Sequence, residues 1–350
     1  MAGADPQSRI QSIRASVNGL GEYGGALYFS ERIDGVSGIY KKISSTDTSE
    51  AIAISSNDRA YLSFDMFDGR LAVSVMSAGE AHIGISSLPS FDIRTVTEGS
   101  SVELDPVWSR TERDVIYFSS AGLPQFDSSD MEEAPPMTPA AIMNAMNSSA
   151  APVRRGPSSI CRLKLSDGEL ETLLEDERFD FVKPLSAPDG SLYCVKKPYS
   201  AQSEGNNSLG CAADILLLPV RLIKALFGFL SFFSIKYSGT PLSGGGTRAK
   251  NKDAGQIRID GNLINAEKEL KANAGDENPG IIPKSFELLR IAPDGTQTTL
   301  RRGVLCYTLD DEGNVVYSNG KYIIRLNADG SETRLAAADG VTLLKYLPVG

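Results

Sequence analysis

Short β-rich runs recur along this chain in a fixed order, and that recurrence narrows its possible folds more than any other feature. An aliphatic-Tyr pair appears in "ALYFS" (Leu27-Tyr28), "VIYFSS" (Ile116-Tyr117), "SLYCV" (Leu192-Tyr193) and "VVYSN" (Val316-Tyr317), with "LAVSV" at 71–75 as a weaker copy. Such runs, rich in β-branched and aromatic residues, read as strands. A second column sets an aliphatic pair, Arg and a further aliphatic residue ahead of Asp-Gly. "LLRIAPDG" around Arg290 matches "IIRLNADG" around Arg325, and "CRLKLSDG" around Arg162 is one residue longer. A third column closes each unit with a short strand: "AIAIS", "IRTVT", "ETLLE", "QTTLR" and "ETRLA".

Ala-Pro-Asp-Gly occurs twice, in "LSAPDGSLYCV" and "LRIAPDGTQTT", once before a Tyr-column strand and once after an Arg-column strand. The two copies are therefore different turns of one repeating unit. Asp-Gly suits both, because Gly takes positive φ without steric cost and Asp tolerates tight geometry, as two-residue hairpin loops require. Asp167-Gly168, Asp329-Gly330 and Asp68-Gly69 are read in the same way. Each turn brings a single carboxylate where calcium needs several oxygens, so these are turns rather than metal loops.

The unit is four antiparallel strands: an outer-column strand such as "FVKPLSA", the Tyr strand, the Arg strand and the short last strand. That is the make-up of a propeller blade. The expected fold is all-β, a single β-propeller domain over 1–350 with blades near 18–57, 58–98, 102–176, 178–300 and 302–337. Five blades are expected, with six as the alternative, and "VTLLKYL" at 341–347 supplies a further strand that can close the ring. Closure removes strand edges that would otherwise pair with other chains. The columns resemble the TolB-type, WD40-like propeller repeat, whose pattern is Pro-x-Trp-Ser-Pro-Asp-Gly followed by a strand. "DPVWSRTERDVIYFSS" keeps Pro106, Trp108 and Ser109 but not the Pro-Asp-Gly turn, whereas "SAPDGSLYCV" keeps the turn and lacks the Trp. The resemblance implies a protein-binding platform and brings no catalytic residues with it.

Two blades carry inserts, 122–156 and 199–284, each between the Tyr strand and the Arg strand. Equivalent loops of successive blades emerge on one face, so one face is expected to be elaborated. The first insert, rich in Pro, Ser, Ala and Met, suits a flexible segment with one short helix starting near Thr138-Pro139. Its Met143 and Met146 are read as part of a solvated linker. The second contains "DILLLPVRLIKALFGFLSFFSIK" from Asp214 to Lys236, long enough for a membrane span. A single span would put two strands of one blade on opposite sides of a bilayer, which argues against it. As a helix over 214–236, Arg221, Lys224, Gly228 and Ser231 form one narrow polar stripe, the pattern of an amphipathic helix lying in a surface. Residues 213–258 hold seven cations and two carboxylates, a net +5 against −9 for the whole chain.

Basic, Phe-rich amphipathic segments suit an anionic membrane. Packing on the propeller or docking a partner helix are the alternatives. Arg221, Lys224, Leu226, Phe227, Phe229, Phe232 and Phe233 are the candidate membrane- or partner-binding residues.

The acidic balance of −9 argues against a nucleic-acid partner, since phosphate backbones attract stretches of Lys and Arg. Cys161, Cys194, Cys211 and Cys306 fit no metal spacing and read as free buried thiols in a reducing compartment. The N-terminal residues show no apolar signal region, and the expected location is the cytoplasm, peripheral at a membrane where the helix binds one. No metal or cofactor is expected, because neither metal spacing nor a phosphate-binding Gly-rich loop is present. His82 is the only histidine, begins a predicted strand and is read as structural; no G-x-S-x-G elbow accompanies it. Trp108, the sole tryptophan, is expected to pack between blades, with ligand stacking as the alternative. The function that follows is a non-enzymatic binding scaffold. The alternative is an enzyme or small-ligand binder using polar residues of inward-facing first strands in the central pocket, where convergent polar groups would carry the chemistry.

Overall fold

The computed structural model describes residues 15–33, 36–42, 51–123, 155–199, 256–259 and 262–346. They are nearly all strand, arranged in repeated four-stranded antiparallel units as in a β-propeller. The first unit is β1 (Ala15–Tyr23), β2 (Ala26–Ile33), β3 (Val36–Lys42) and β4 (Ala51–Ser56). The second is β5 (Ala60–Phe67), β6 (Arg70–Ser77), β7 (Glu80–Ser87) and β8 (Arg94–Thr95). The third is β9 (Ser101–Trp108), β10 (Val115–Gly122), β11 (Ser159–Lys164) and β12 (Glu169–Leu174), joined to the second by one parallel pairing, Ala81 with Val102.

The fourth unit opens with β13 (Phe179–Ser186) and β14 (Leu192–Pro198). The chain then makes a separate hairpin, β15 (Gln256–Ile259) and β16 (Asn262–Asn265), and one short helix, α1 (Ala266–Ala272). It returns to the fourth sheet as β17 (Glu287–Ile291) and β18 (Gln297–Arg302). The last unit is β19 (Cys306–Leu309), β20 (Val315–Ser318), β21 (Tyr322–Leu326) and β22 (Glu332–Ala337).

Burial explains why the strand columns differ in composition. β5 and β6 are buried on both faces, as expected of strands with a sheet packed on either side, and both read as apolar runs. β12, β18 and β22 are mostly exposed, which is why the third column is rich in Glu, Thr and Arg. The first strands of the first four units lie side by side in sequence order, as the inward-facing first strands of a propeller do. The close approach demands glycine: a Cβ on Gly19 or Gly21 of β1 would come within 2.6 or 2.7 Å of the Phe64 ring on β5.

Each of these inner strands also breaks register once, at Val17/Gly19, at Tyr61/Phe64, opposite Tyr117/Ser119 and at Val182/Leu185. In β9 and β13 the break falls on Asp105-Pro106 and Lys183-Pro184, with Asp105 and Lys183 at φ 53° and 56°. A bulge is where a strand accommodates proline, which has no amide hydrogen for the ladder.

The Arg column has a mechanical reason. Arg290, on the third strand of its unit, reaches back to Asp189 at 2.9 Å in the turn between the first and second strands. Arg325 does the same to Asp310 at 2.9 Å, and Arg162 to Glu112 at 2.8 Å. The arginine thus clamps the opening hairpin of its own unit.

Two expectations need correction. Of the Asp-Gly turns singled out in the sequence, Asp68-Gly69 alone forms a two-residue loop, with Phe67 paired to Arg70 and φ of 50° and 69° at the two loop residues. At Asp189-Gly190, Asp294-Gly295 and Asp329-Gly330 the loop is longer: Ala187, Ala292 and Asn327 donate to the carbonyls of Ser191, Thr296 and Ser331. Glycine takes the positive-φ place near the end of that loop, and each Asp carboxylate accepts from the amide two residues on, at 2.9 Å. The second correction concerns 341–346, which forms no strand. It is held by hydrogen bonds from Cys306 Sγ to the Val341 carbonyl and from Lys183 Nζ to the Thr342 carbonyl, and by Lys345, which pairs with Asp65. The segment therefore touches the inner strands of the second, fourth and fifth units.

Candidate functional site

The returning end of the first insert meets the departing end of the second. The first insert leaves β10 at Leu123, whose amide donates to the Ser100 carbonyl at 3.0 Å, and rejoins at Gly156, whose amide donates to the Gly122 carbonyl at 2.8 Å. The Ser158 amide then donates to Asp180 Oδ1 at 2.8 Å, and the Phe181 amide returns a bond to the Ser158 carbonyl at 2.8 Å. Asp180 is buried, so the third unit's re-entry is tied to the inner strand of the fourth. At the start of the second insert, the Tyr199 amide donates to the Arg178 carbonyl at 2.8 Å. The Tyr199 hydroxyl donates to the Arg155 carbonyl at 2.6 Å. One hydrogen bond therefore joins the last described residue before one insert to the first described residue after the other. Beside it, Lys196 lies 4.1 Å from the Phe179 ring centroid and Arg178 5.5 Å from it, on the same ring.

The end of the second insert folds back onto the propeller. Asn265 caps α1, its side chain accepting from the Lys268 amide at 3.0 Å, and Glu267 and Glu269 complement the helix start. Residues 273–286 then run to the fifth unit, where Ile264, Ile282 and Phe286 pack with Leu305. The Ile281 amide donates to the Asn319 carbonyl at 3.1 Å, and a Cβ on Gly280 would strike Asn319 at 2.6 Å. This contact leaves room for glycine alone.

A second charged constellation sits on the inner strands. Asp65 of β5 is buried and accepts from Arg110 Nη1 at 2.9 Å and Nη2 at 3.0 Å, from the Trp108 amide at 3.1 Å and from Lys345 Nζ at 3.1 Å. Burial works to raise its pKa, but the Lys345 and Arg110 charges and the Arg110 and Trp108 hydrogen bonds outweigh it and hold the carboxyl below its ordinary value. Arg110 also stacks on Phe67, 4.1 Å from the ring centroid. Every oxygen of this carboxylate is engaged, which makes it a clasp between distant parts of the chain.

The candidate residues Arg221, Lys224, Leu226, Phe227, Phe229, Phe232 and Phe233, the helix 214–236 and the segment around Thr138-Pro139 lie outside the described residues. His82 stands between Glu80 at 3.6 Å and the buried Glu103 at 3.8 Å, on β7 where the second and third units join. Its charged neighbours are these two carboxylates. Trp108 is buried in a cluster with Ala72 and Ile83 of the second unit and Ile116 and Phe118 of the third, with Arg70 over its ring at 4.3 Å. Cys161, Cys194 and Cys306 are buried, and burial pushes the Cys194 thiol up to about 12. Cys211 lies outside the described residues. Among the described residues no three His, Cys, Asp or Glu gather as metal ligands, and no helix is long and apolar enough to cross a membrane.

Sequence reasoning missed Asp65, Arg110 and Lys345 as a group. Arg110 does stand in the Trp-Ser motif, where the TolB-type pattern has Pro, and that departure was the available signal.

No protein-family model matches the chain, and no curated protein matches it. In structure it is similar to TolB propellers. Putative TolB from Agrobacterium tumefaciens is 15% identical over 51% of this chain and 52% of that one, with a TM-score of 0.35. TolB from Acinetobacter baumannii is 10% identical over 93% of this chain and 55% of that one, with a TM-score of 0.47. A puromycin hydrolase is also similar, at 8% identity over 89% of this chain and 33% of that one, TM-score 0.38. The chain spans about half the length of the two TolB structures and about a third of the hydrolase.

Proposed function

We propose that the protein is a non-enzymatic binding scaffold: a single five-bladed propeller that presents both inserts on one face to an anionic membrane surface or a protein partner. The observation that carries this reading is the Tyr199–Arg155 hydrogen bond of 2.6 Å, which sets the roots of the two inserts side by side. Loops that leave neighbouring blades between equivalent strands project in the same direction, so whatever the inserts bind meets them together. The second insert supplies the contact chemistry from its sequence, a basic stretch with Phe227, Phe229, Phe232 and Phe233 close together. At an anionic surface each nearby cation contributes about 1 kcal/mol and the buried rings add an apolar term. The proposed location is the cytoplasm, peripheral at the membrane.

Co-sedimentation with vesicles tests the reading. The full chain is expected to pellet with phosphatidylserine-containing vesicles more than with pure phosphatidylcholine, and less at high salt, because the charge contribution is screened while the apolar one persists. Replacing residues 212–237 by a short Gly-Ser linker is expected to abolish that binding and leave the thermal transition in place. Equal pelleting with both vesicles removes the electrostatic part. No pelleting with either, together with no partner captured by the intact chain and lost by the linker variant, overturns the scaffold reading.

A further inference from the structure

Apolar seams join each unit of the fold to the next. Tyr28 and Ile39 of the first unit pack with Phe64 and Val73 of the second, and Ala72 and Ile83 of the second with Ile116 and Phe118 of the third. Ile160 and Leu174 of the third pack with Phe181 and Leu192 of the fourth, and Tyr193 and Leu288 of the fourth with Tyr307 and Tyr317 of the fifth. None of the apolar clusters among the described residues joins the fifth unit to the first. The face of the first unit turned away from the second nonetheless carries apolar residues. Ser30 Oγ donates to the Leu62 carbonyl at 2.7 Å, Ser37 Oγ accepts from the Tyr61 amide at 2.9 Å, and Ile39 packs on the same side, toward the second unit. Strand alternation turns Glu31, Val36 and Tyr40 the other way, and register sets Val17 opposite Glu31 and Ile52 opposite Tyr40. Val17, Val36 and Ile52 are 45%, 38% and 65% exposed. A seam closed by packing would bury them, as the other seams bury their residues.

What crosses instead is the segment 341–346. It leaves the fifth unit just after Gly340, whose amide donates to the Gly320 carbonyl at 2.9 Å. On the fifth unit's inner strand, Cys306 Sγ donates to the Val341 carbonyl and the Tyr346 amide donates to Thr308 Oγ1, both at 3.3 Å. Lys183 Nζ of the fourth unit donates to the Thr342 carbonyl at 3.4 Å, and Lys345 Nζ reaches Asp65 Oδ1 at 3.1 Å. Asp65 lies on β5, the neighbour of β1, so this last contact ties the end of the segment to the far side of the seam. All six residues are half-buried, and among the described residues the segment makes no backbone-to-backbone hydrogen bond. An element held in this way opens locally at small cost.

We propose that 341–346 is a latch: the Lys345–Asp65 ion pair holds the seam between the fifth and first units closed, and its release lets the two units move apart. This rests on the single-propeller reading above, in which the fifth unit neighbours the first. The two halves of the ion pair are built differently. The Asp65 side chain is 5% exposed and is fixed by Arg110 at 2.9 and 3.0 Å, so the anchor stays in place when the segment leaves. The Lys345 side chain is 29% exposed, and its long stem lets the ammonium return to water. Opening breaks little else, because each unit keeps its own ladder of strand pairs and no apolar cluster of the described residues spans this seam.

Double electron–electron resonance across the seam tests the latch in the full chain. Spin labels are attached through Ile52→Cys and Leu335→Cys, on the outermost strands of the first and fifth units, where both side chains are exposed. The background is Cys211→Ser, since Cys161, Cys194 and Cys306 are buried. With Lys345 in place, one narrow distance distribution is expected. Lys345→Met should raise the population at longer distances about fivefold, the weight of one partly exposed ion pair. Lys345→Glu should raise it further, because it sets a second carboxylate against Asp65, and Lys345→Arg, which keeps the charge, should restore the narrow distribution. A distribution unchanged in both Lys345→Met and Lys345→Glu overturns the latch and leaves the propeller reading standing. A broad distribution already present with Lys345 in place overturns both, since there is then no closed seam to hold.

Discussion

Asp65 and Glu332 are both carboxylates withdrawn from water, with side chains 5% and 10% exposed, and both face an arginine. Their surroundings then diverge. Asp65 meets two cations, Arg110 and Lys345, and the Trp108 backbone amide, drawn from two places far apart in the chain. Glu332 meets one cation and two neutral donors, Tyr317 and Asn278, and one wall of its site opens on a cavity. Closing a carboxylate on every side suits it to holding distant segments together. Leaving one wall open lets water reach the donors around it. The same chemical group is closed off in one place and stands beside open space in the other, and exposure alone would not have told them apart.

The largest effect should come from removing the closed carboxylate. Asp65→Ala leaves Arg110 and Lys345 without their shared anion and is expected to cost about 3–5 kcal/mol in denaturant unfolding, since breaking one side of a buried pair strands the other. A cost near zero would break the comparison by showing that water replaces the carboxylate. Glu332→Ala should cost less, about 1–3 kcal/mol, because it leaves the Tyr317 and Asn278 donors unpaired but beside an open space that water can enter.

Lys345→Met should cost about 1 kcal/mol. Its Nζ is partly exposed, Arg110 still holds Asp65, and hydrogen exchange should quicken at 341–346 while β5 stays protected. The smallest effect is on pH dependence. The Asp65 carboxyl is held below its ordinary value of 3.8, so its stabilising contribution is present above that value and is lost as pH falls through the lower folded value. The acid limb of a stability profile should therefore flatten in Asp65→Ala.

The strand columns were legible because period and burial left their marks residue by residue. Tyr28, Tyr193 and Tyr317 are buried in the second strands where the alignment put them, and the Arg column turned out to clamp a turn in its own unit. Loop length at Asp-Gly was misread, since the dipeptide serves both a two-residue loop at Asp68-Gly69 and a longer one at Asp189-Gly190. The deciding partners, Ala187 and Ser191, lie outside the dipeptide. Segment 341–346 was read as a further strand. It is held instead by bonds that Cys306 and Lys183 donate to its carbonyls and that its Lys345 donates to Asp65, which no local pattern announces. Asp65 and Lys345 are 280 positions apart, so their pairing could be seen only in three dimensions.

The central claim is that the two inserts spring from adjacent roots, and photo-crosslinking tests it most directly. Tyr199 is replaced by p-benzoylphenylalanine in the full chain, irradiated and mapped by mass spectrometry. The Tyr199 hydroxyl lies 2.6 Å from the Arg155 carbonyl, so the crosslink is expected in the peptide around Arg155 to Ser158. Crosslinks confined to the turns at Glu112 or Asp167, with none near Arg155, would contradict the account.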